Sequence, residues 1–315
     1  MAIKIDGQDL LKKFIGWQEI VRIYKNGGEI RPNTVPPVPK PWLCFTANEI
    51  ESTVQLNKIW NPTAVTLEIS TDWNNWNTYS IWNTITLSNV WDKVYRRNTS
   101  EITTWFSSDE EALYYFIMAW SISASWNVTS LINKNCTDTI LTAGCFFQLF
   151  LDCYSLTTAP ELPATTLTNS CYYAMFMGCA SLTTAPELPA TTLADFCYDS
   201  MFEDSSLTIP PQLPATTLAR GCYLDMFNSC PLTALPQLPA TTLAKECYLR
   251  MFDRCDSIKL SETQIWEYQT PYRIPTNWIW TEGTDSLRDM FRLTWGRFTG
   301  TPEINRTYYT SNTVI

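Results

Sequence analysis

Histidine is missing from all 315 residues, and that single absence removes much of the usual catalytic machinery. Without an imidazole there is no Ser-His-Asp or Cys-His arrangement, and the ordinary zinc and non-haem iron sites lose their commonest ligand. No Gly-rich phosphate loop or dinucleotide fingerprint occurs, and no apolar run approaches the ~20 residues of a membrane span. The opening Met1-Ala-Ile-Lys-Ile-Asp lacks the apolar core of a secretion signal, so a chain made in the host cytoplasm without membrane insertion is expected. The 22 basic residues are outnumbered by 31 acidic ones, a net charge of −9 with no basic footprint for nucleic acid or an anionic membrane. Partners should therefore be proteins or uncharged glycans.

Glycine is also scarce. Only 10 occur, and none lies between Glu29 and Ala143. That gap coincides with short β-rich runs, at 53–57, 64–70, 83–88, 93–97 and 114–123, whose turns ordinarily need glycine for positive φ. Val65, Leu67 and Ile69 alternate with Thr66 and Glu68, and the spacing of the runs predicts a small immunoglobulin-like β-sandwich over 42–135. Tryptophans stand beside the turn formers instead: Trp60-Asn61, Trp73-Asn74, Trp82-Asn83, Trp91-Asp92 and Trp126-Asn127. One reading is a sugar-stacking platform; the plainer one is substituted turns tucked onto the sandwich. In related sequences these positions resemble Gly-Asn or Gly-Asp, and UGA differs from the glycine codon GGA by one base. Several of these tryptophans are therefore expected to be UGA codons read as tryptophan, as in phages that reassign stop codons.

What is abundant is repetition. Cys145, Cys171, Cys197, Cys222 and Cys247 recur at 25–26 residues, and Pro163, Pro189, Pro214 and Pro239 keep step. A fixed period of this length predicts a solenoid, each unit burying its apolar face against its neighbours. Within a unit, Cys171, Met175 and Cys179 are spaced i, i+4, i+8 with Tyr172 and Phe176 alongside, which predicts a short helix. Leu182 to Leu188, interrupted by Pro186, reads as a short strand, and Thr191-Thr192 as the cap of the next helix. The fold class expected is thus mixed α/β and all-β: a leucine-rich-repeat-like solenoid of about five turns over 136–260, with a C-terminal cap and tail over 261–315. Ser286-Leu-Arg-Asp-Met-Phe291 echoes the repeat as a decayed last turn, and the tail beyond it is expected to be exposed coil or a strand for a neighbouring subunit.

The pattern Cys-Tyr-x-x-Met-Phe-x-x-Cys-x-Ser-Leu-Thr-x-Ala-Pro-x-Leu-Pro-Ala-Thr-Thr-Leu resembles the BspA-like leucine-rich repeats of gut-bacterial surface proteins and their phages, over residues 141–258. Ser205 and Pro210-Pro211 depart from it. A second patch, from Phe298 to Thr313, resembles segments that follow such repeats. The likeness implies a surface-exposed binding scaffold without chemistry of its own. Because no export signal opens the chain, a virion protein of a tailed, crAss-like phage is expected, either tail or head fibre; a virion decoration protein and a bacterial cell-surface protein are the alternatives.

Residues 7–14 read as an amphipathic helix, and 18–31 as a hairpin across Asn26-Gly27. Residues 1–33 resemble the short N-terminal segments of phage structural proteins, which implies an anchor; a hairpin packed on the next domain is the alternative. Ile20, Tyr24, Asn26, Gly27 and Ile30 are the residues expected to dock on another virion protein. Pro36, Pro37, Pro39 and Pro41 make 34–41 a stiff linker. Stacked repeats should align side chains into ladders about 4.8 Å apart: Thr157, Thr183, Thr208, Thr233 in one and Glu161, Glu187, Gln212, Gln237 in another, the candidate face for a host glycan or protein. Asp199, Glu203 and Asp204 are the carboxylates nearest to a glycosidase pair; they read as solvated charges, and no catalytic residue, cofactor or metal is expected. The cysteines, ten of them between Cys136 and Cys255 with no Cys-x-x-Cys pair, read as buried thiols. A homo-oligomer such as a trimer is compatible with a fibre, although no heptad or collagen-like stretch supports one.

Overall fold

The computed structural model describes residues 42–60, 65–99, 112–136, 139–275, 285–304 and 306–315, together with strand backbones at 3–5, 8–15, 18–25 and 28–30. The chain divides into two compact units, Met1–Pro41 and Trp42–Ile315. Among the described residues there is no α-helix; one 3-10 turn, Val128–Leu131, is capped by the Asn127 side chain. The protein is nearly all β, and the mixed α/β expectation is corrected.

In the first unit, β1 (Ile3–Ile5), β2 (Gln8–Ile15), β3 (Gln18–Lys25) and β4 (Gly28–Ile30) form an antiparallel sheet in chain order. The helix expected at 7–14 is the strand β2, paired from Ile3↔Leu10 on one side and from Asp9↔Tyr24 on the other. Neighbours on both edges satisfy the backbone of a segment too short to hold an isolated helix.

The second unit begins with two sheets. β5 (Cys44–Ala47), β7 (Leu67–Ser70), β8 (Asn77–Tyr79), β10 (Lys93–Asn98), β12 (Ile122–Ser125) and β13 (Leu156–Thr158) join in the order β13-β12-β5-β10-β7-β8. β6 (Ser52–Trp60), β9 (Thr84–Leu87) and β11 (Ala112–Ala119) form the other, in the order β11-β6-β9. Alternation does the burying: Tyr114, Phe116 and Met118 of β11 go inside, as do Ile122 and Ala124 of β12. The run expected as one strand at 114–123 is two, divided at Trp120-Ser121. Both sheets continue into the repeats. β12 pairs in parallel with β13, and the Phe116 amide donates to the Leu149 carbonyl at 2.8 Å.

From Gly144 onward the helix expected in each unit is replaced by a coil of four-residue turns. Positive φ recurs at every fourth residue: Gly144, Gln148, Asp152; Ser170, Ala174, Gly178; Phe196, Ser200, Asp204; Gly221, Asp225, Ser229; Glu246, Arg250, Arg254. Amides alternate in their use. Those of Cys145, Phe147, Leu149, Leu151 and Cys153 bond three residues back, whereas those of Phe146, Gln148, Phe150 and Asp152 reach the carbonyls of Cys171, Tyr173, Met175 and Met177 in the next unit. This is the physical reason for the correction. An α-helix spends its amides on itself, while the turn coil leaves half of them to knit one unit to the next. Thr192, expected as a helix cap, instead bridges Thr166. The strand half of each unit shrinks to β13, β14 (Ala234–Leu235) and the isolated bridge Thr184↔Ile209.

Side chains repeat with the backbone. Phe116, Phe150, Phe176, Phe202, Phe227, Phe252 and Phe291 form one column with ring centroids 5.2–5.9 Å apart. Phe146 and Tyr172, Tyr198, Tyr223 and Tyr248 form a second. Cys44, Cys153, Cys171, Cys179, Cys197, Cys222, Cys230, Cys247 and Cys255 are buried free thiols. Cys153, Cys179, Cys230 and Cys255 donate their thiols to the carbonyls of Phe116, Phe150, Phe202 and Phe227 in the preceding layer, at 2.9–3.2 Å. Burial pushes the Cys197, Cys230 and Cys247 thiols up to about 12, which keeps them protonated.

Residues 285–294 form a sixth coil, with positive φ at Asp285, Asp289 and Leu293, accepting amides from Tyr248, Arg250, Phe252 and Arg254. The tail expected as exposed coil is instead folded back. β18 (Thr307–Thr310) lies between β16 (Thr270–Arg273) and β15 (Lys259–Ser261), β15 also pairs with β17 (Trp295–Gly296), and β19 (Thr313–Val314) pairs in parallel with β14. Burial of Tyr308 and Thr310 holds it there. A strand edge left open by the last repeat is thereby covered.

Candidate functional site

The residues of the two expected ladders recur once per unit. Glu161, Glu187, Gln212 and Gln237 are all exposed, as are Thr183, Thr208 and Thr233; Thr157 is half-buried. Their chemistry is not uniform. The Thr157 hydroxyl donates to the Ile122 carbonyl at 3.0 Å and accepts from Asn48 at 2.9 Å, which engages it with the sheet. Thr233 donates its hydroxyl to the Thr208 carbonyl at 3.1 Å and so binds unit to unit. Partial burial, and then the charge of Glu187, raise Glu161 above the usual carboxylate range.

At its C-terminal end the threonine row opens into a cleft of about 700 Å³ lined by Thr233, Asp256, Ser257, Lys259, Trp295, Ser311, Asn312 and Thr313. Asn312 is its strut. It donates to the carbonyls of Thr233 and Ser257 and accepts the Lys259 amide, at 2.8–3.0 Å. Trp295 is 63% exposed, and Asp256, Lys259 and Ser311 are exposed around it. An open indole face among hydroxyl, carboxylate and ammonium groups is suited to stacking on a ring while hydrogen-bonding its edge. Sequence reading missed this cleft because β19 and β17 bring its wall from the end of the chain. The only local signal is the exposed Trp295-Gly296 pair.

The three carboxylates singled out for glycosidase-type chemistry do not face one another across an open cleft. Asp199 is buried and hydrogen-bonded by Ser200 at 3.0 Å, Glu203 is half-buried and held by Asn228 at 3.1 Å, and Asp204 is exposed. Burial pushes Asp199 up to about 7, with Asp225 and Glu203 adding to it. The neighbouring acids are ion-paired between layers: Asp225 with Arg250 and Asp253 with Arg292, each at 2.5 Å. Among the described residues no group of three or more Cys, Asp or Glu is placed to hold a metal ion, and no helix is long and apolar enough to cross a membrane.

The tryptophans flagged as a stacking platform partly converge. Trp73 stands 5.5 Å from Trp42, 4.8 Å from Trp126 and 4.0 Å from Tyr95, and Arg97 lies over Trp76 at 3.8 Å. Their faces are turned on each other. Trp82 and Trp91 stand apart and exposed, and Trp60 closes β6. Of the docking residues, Ile20 pairs with Lys13, Tyr24 with Asp9 and Glu29, and Ile30 with Ile23; Asn26 and Gly27 lie outside the described residues. No family model, curated protein or solved structure matches the chain.

Proposed function

We propose that this is a fibre- or adhesin-like virion protein of a phage, attached to other virion proteins through its N-terminal unit and presenting a leucine-rich-repeat-like solenoid to a host-surface glycan or protein. An immunoglobulin-like β-sandwich over 42–135 precedes the solenoid in this reading, and residues 261–315 cap it. The observation that carries it is the exposed row Glu161, Glu187, Gln212, Gln237, with Thr183, Thr208 and Thr233 alongside, ending in the Trp295 cleft. A surface repeated once per unit engages a repeated or extended ligand at several points at once, and no nucleic acid or membrane suits its thin charge. The role is binding, with no catalysis, cofactor or metal; a trimer on the particle is compatible with it.

Cryo-electron microscopy of purified particles tests this. Residues 1–40 clasped by another virion protein with the repeats facing solvent is the expected result, followed by binding in a glycan screen that Trp295→Ala abolishes. Repeats buried between capsid or tail subunits would make them structural decoration. Absence from the particle, together with an export signal in the gene, would return the chain to the bacterial cell surface.

A further inference from the structure

We propose that Trp73, Trp82, Trp91, Trp120 and Trp126 stand at glycine positions: in the organism that makes this protein, the codon there is UGA and is read as glycine. The inference is independent of the function proposed above. It rests on backbone geometry. Among the described residues of 42–135, six non-glycine residues have positive φ, and five of them are these tryptophans, at 62–79°. Bulky side chains are genuine outliers in that region, which costs an L-residue of order 1–3 kcal/mol.

Two of the five occupy a position with a known demand. The Asn83 amide donates to the Ser80 carbonyl and the Asp92 amide to that of Asn89, so Trp82 and Trp91 are the third residues of hydrogen-bonded four-residue turns. That is where a type II turn takes glycine. Nothing in the packing of three of the five compensates the strain: Trp82, Trp91 and Trp120 are 51%, 73% and 61% exposed, and among the described residues their indoles make no hydrogen bond.

The coils from 144 to 255 also hold non-glycine residues at positive φ, but there the conformation recurs every fourth residue and is held by bonds between layers. That region uses glycine too, at Gly144, Gly178 and Gly221. The sheet region contains no glycine at all.

Other tryptophans of the region supply the control. Trp42 is buried and donates its indole N–H to the Lys134 carbonyl at 2.8 Å; Trp76 donates to the Trp73 carbonyl at 2.9 Å; neither has positive φ. These use the indole and should be UGG codons. One consequence reaches function. With glycine at 73 and 126, the aromatic cluster reduces to Trp42, Trp76, Tyr95 and Arg97, and a stacking platform there disappears.

The gene sequence and peptide mass spectrometry of the protein from its native source decide the matter. UGA at the five positions, UGG at Trp42 and Trp76, and glycine in the five peptides is the expected result. UGG at the five positions, or tryptophan in those peptides, overturns it. A recombinant chain carrying all five Trp→Gly changes should melt several degrees above the tryptophan chain, and equal or lower melting would count against glycine.

Discussion

Phe116 in a β-strand and Phe150 in a turn coil stack at 5.2 Å, yet the chain reaches their common column by two unlike backbones. In the sheets the strands alternate inside and outside, and direction reverses at isolated turns. In the coil half of each repeat every fourth residue is left-handed and the chain bends continuously while still offering alternate amides to the next layer. A shared core therefore asks for matched layer spacing between the two regions, and secondary structure of one kind is unnecessary. Tolerance differs as well: irregularity in the sheets is local, whereas a change in one coil is felt by the layers above and below.

The sharpest test of that contrast is Phe202→Ala, which empties the middle of the phenylalanine column. It should cost about 3–5 kcal/mol in denaturant unfolding, with hydrogen exchange accelerated in the layers at 171–179 and 222–230. Protection lost only within 197–205 would show that the layers are not coupled.

Asp199→Asn tests the electrostatics of the coils. The carboxyl is raised from 3.8 to about 7, so the folded state holds its proton more tightly than the unfolded one. Stability contributed by that proton is complete below 3.8 and is lost as pH climbs to about 7. At about 1.4 kcal/mol per pKa unit, the variant should gain a few kcal/mol at most above that window and nothing below it. Parallel pH profiles for variant and parent would contradict this.

In the sheets the corresponding feature is Arg96, fully buried over Tyr79 at 4.3 Å, its guanidinium nitrogens without a hydrogen-bond acceptor among the described residues. Arg96→Met keeps the length and removes a desolvated charge. A gain of about 1–3 kcal/mol in chemical denaturation is expected; destabilisation would mean the cation–ring contacts outweigh desolvation. The smallest effect belongs to the exposed row: Glu187→Gln and Thr183→Ala should leave stability within about 0.5 kcal/mol while weakening any ligand that spans the row.

Much of the repeat was legible because cysteine, tyrosine and proline recur with the backbone that positions them. The helix was misread because i, i+4, i+8 is also the period of a four-residue turn. Part of the discriminating signal lay in the residues between: Gly144, Asp152, Gly178, Asp204, Gly221 and Asp225 are of the types that visit left-handed backbone, and all stand at positions of this four-residue rhythm. Strand β5 escaped notice because Leu43-Cys44-Phe45 is buried without alternation. The cleft escaped because its walls meet through the pairing of β14 with β19 and of β15 with β17.

The cysteine thiols that reach back to the preceding layer make height a free variable. A unit inserted between residues 197 and 222 would find the acceptors it needs beneath it and supply the donors needed above. Each such insertion would lift the far end by about 4.8 Å and leave both ends of the array unaltered. A lineage under pressure to change its reach could do so by unequal recombination alone, without redesigning either terminus.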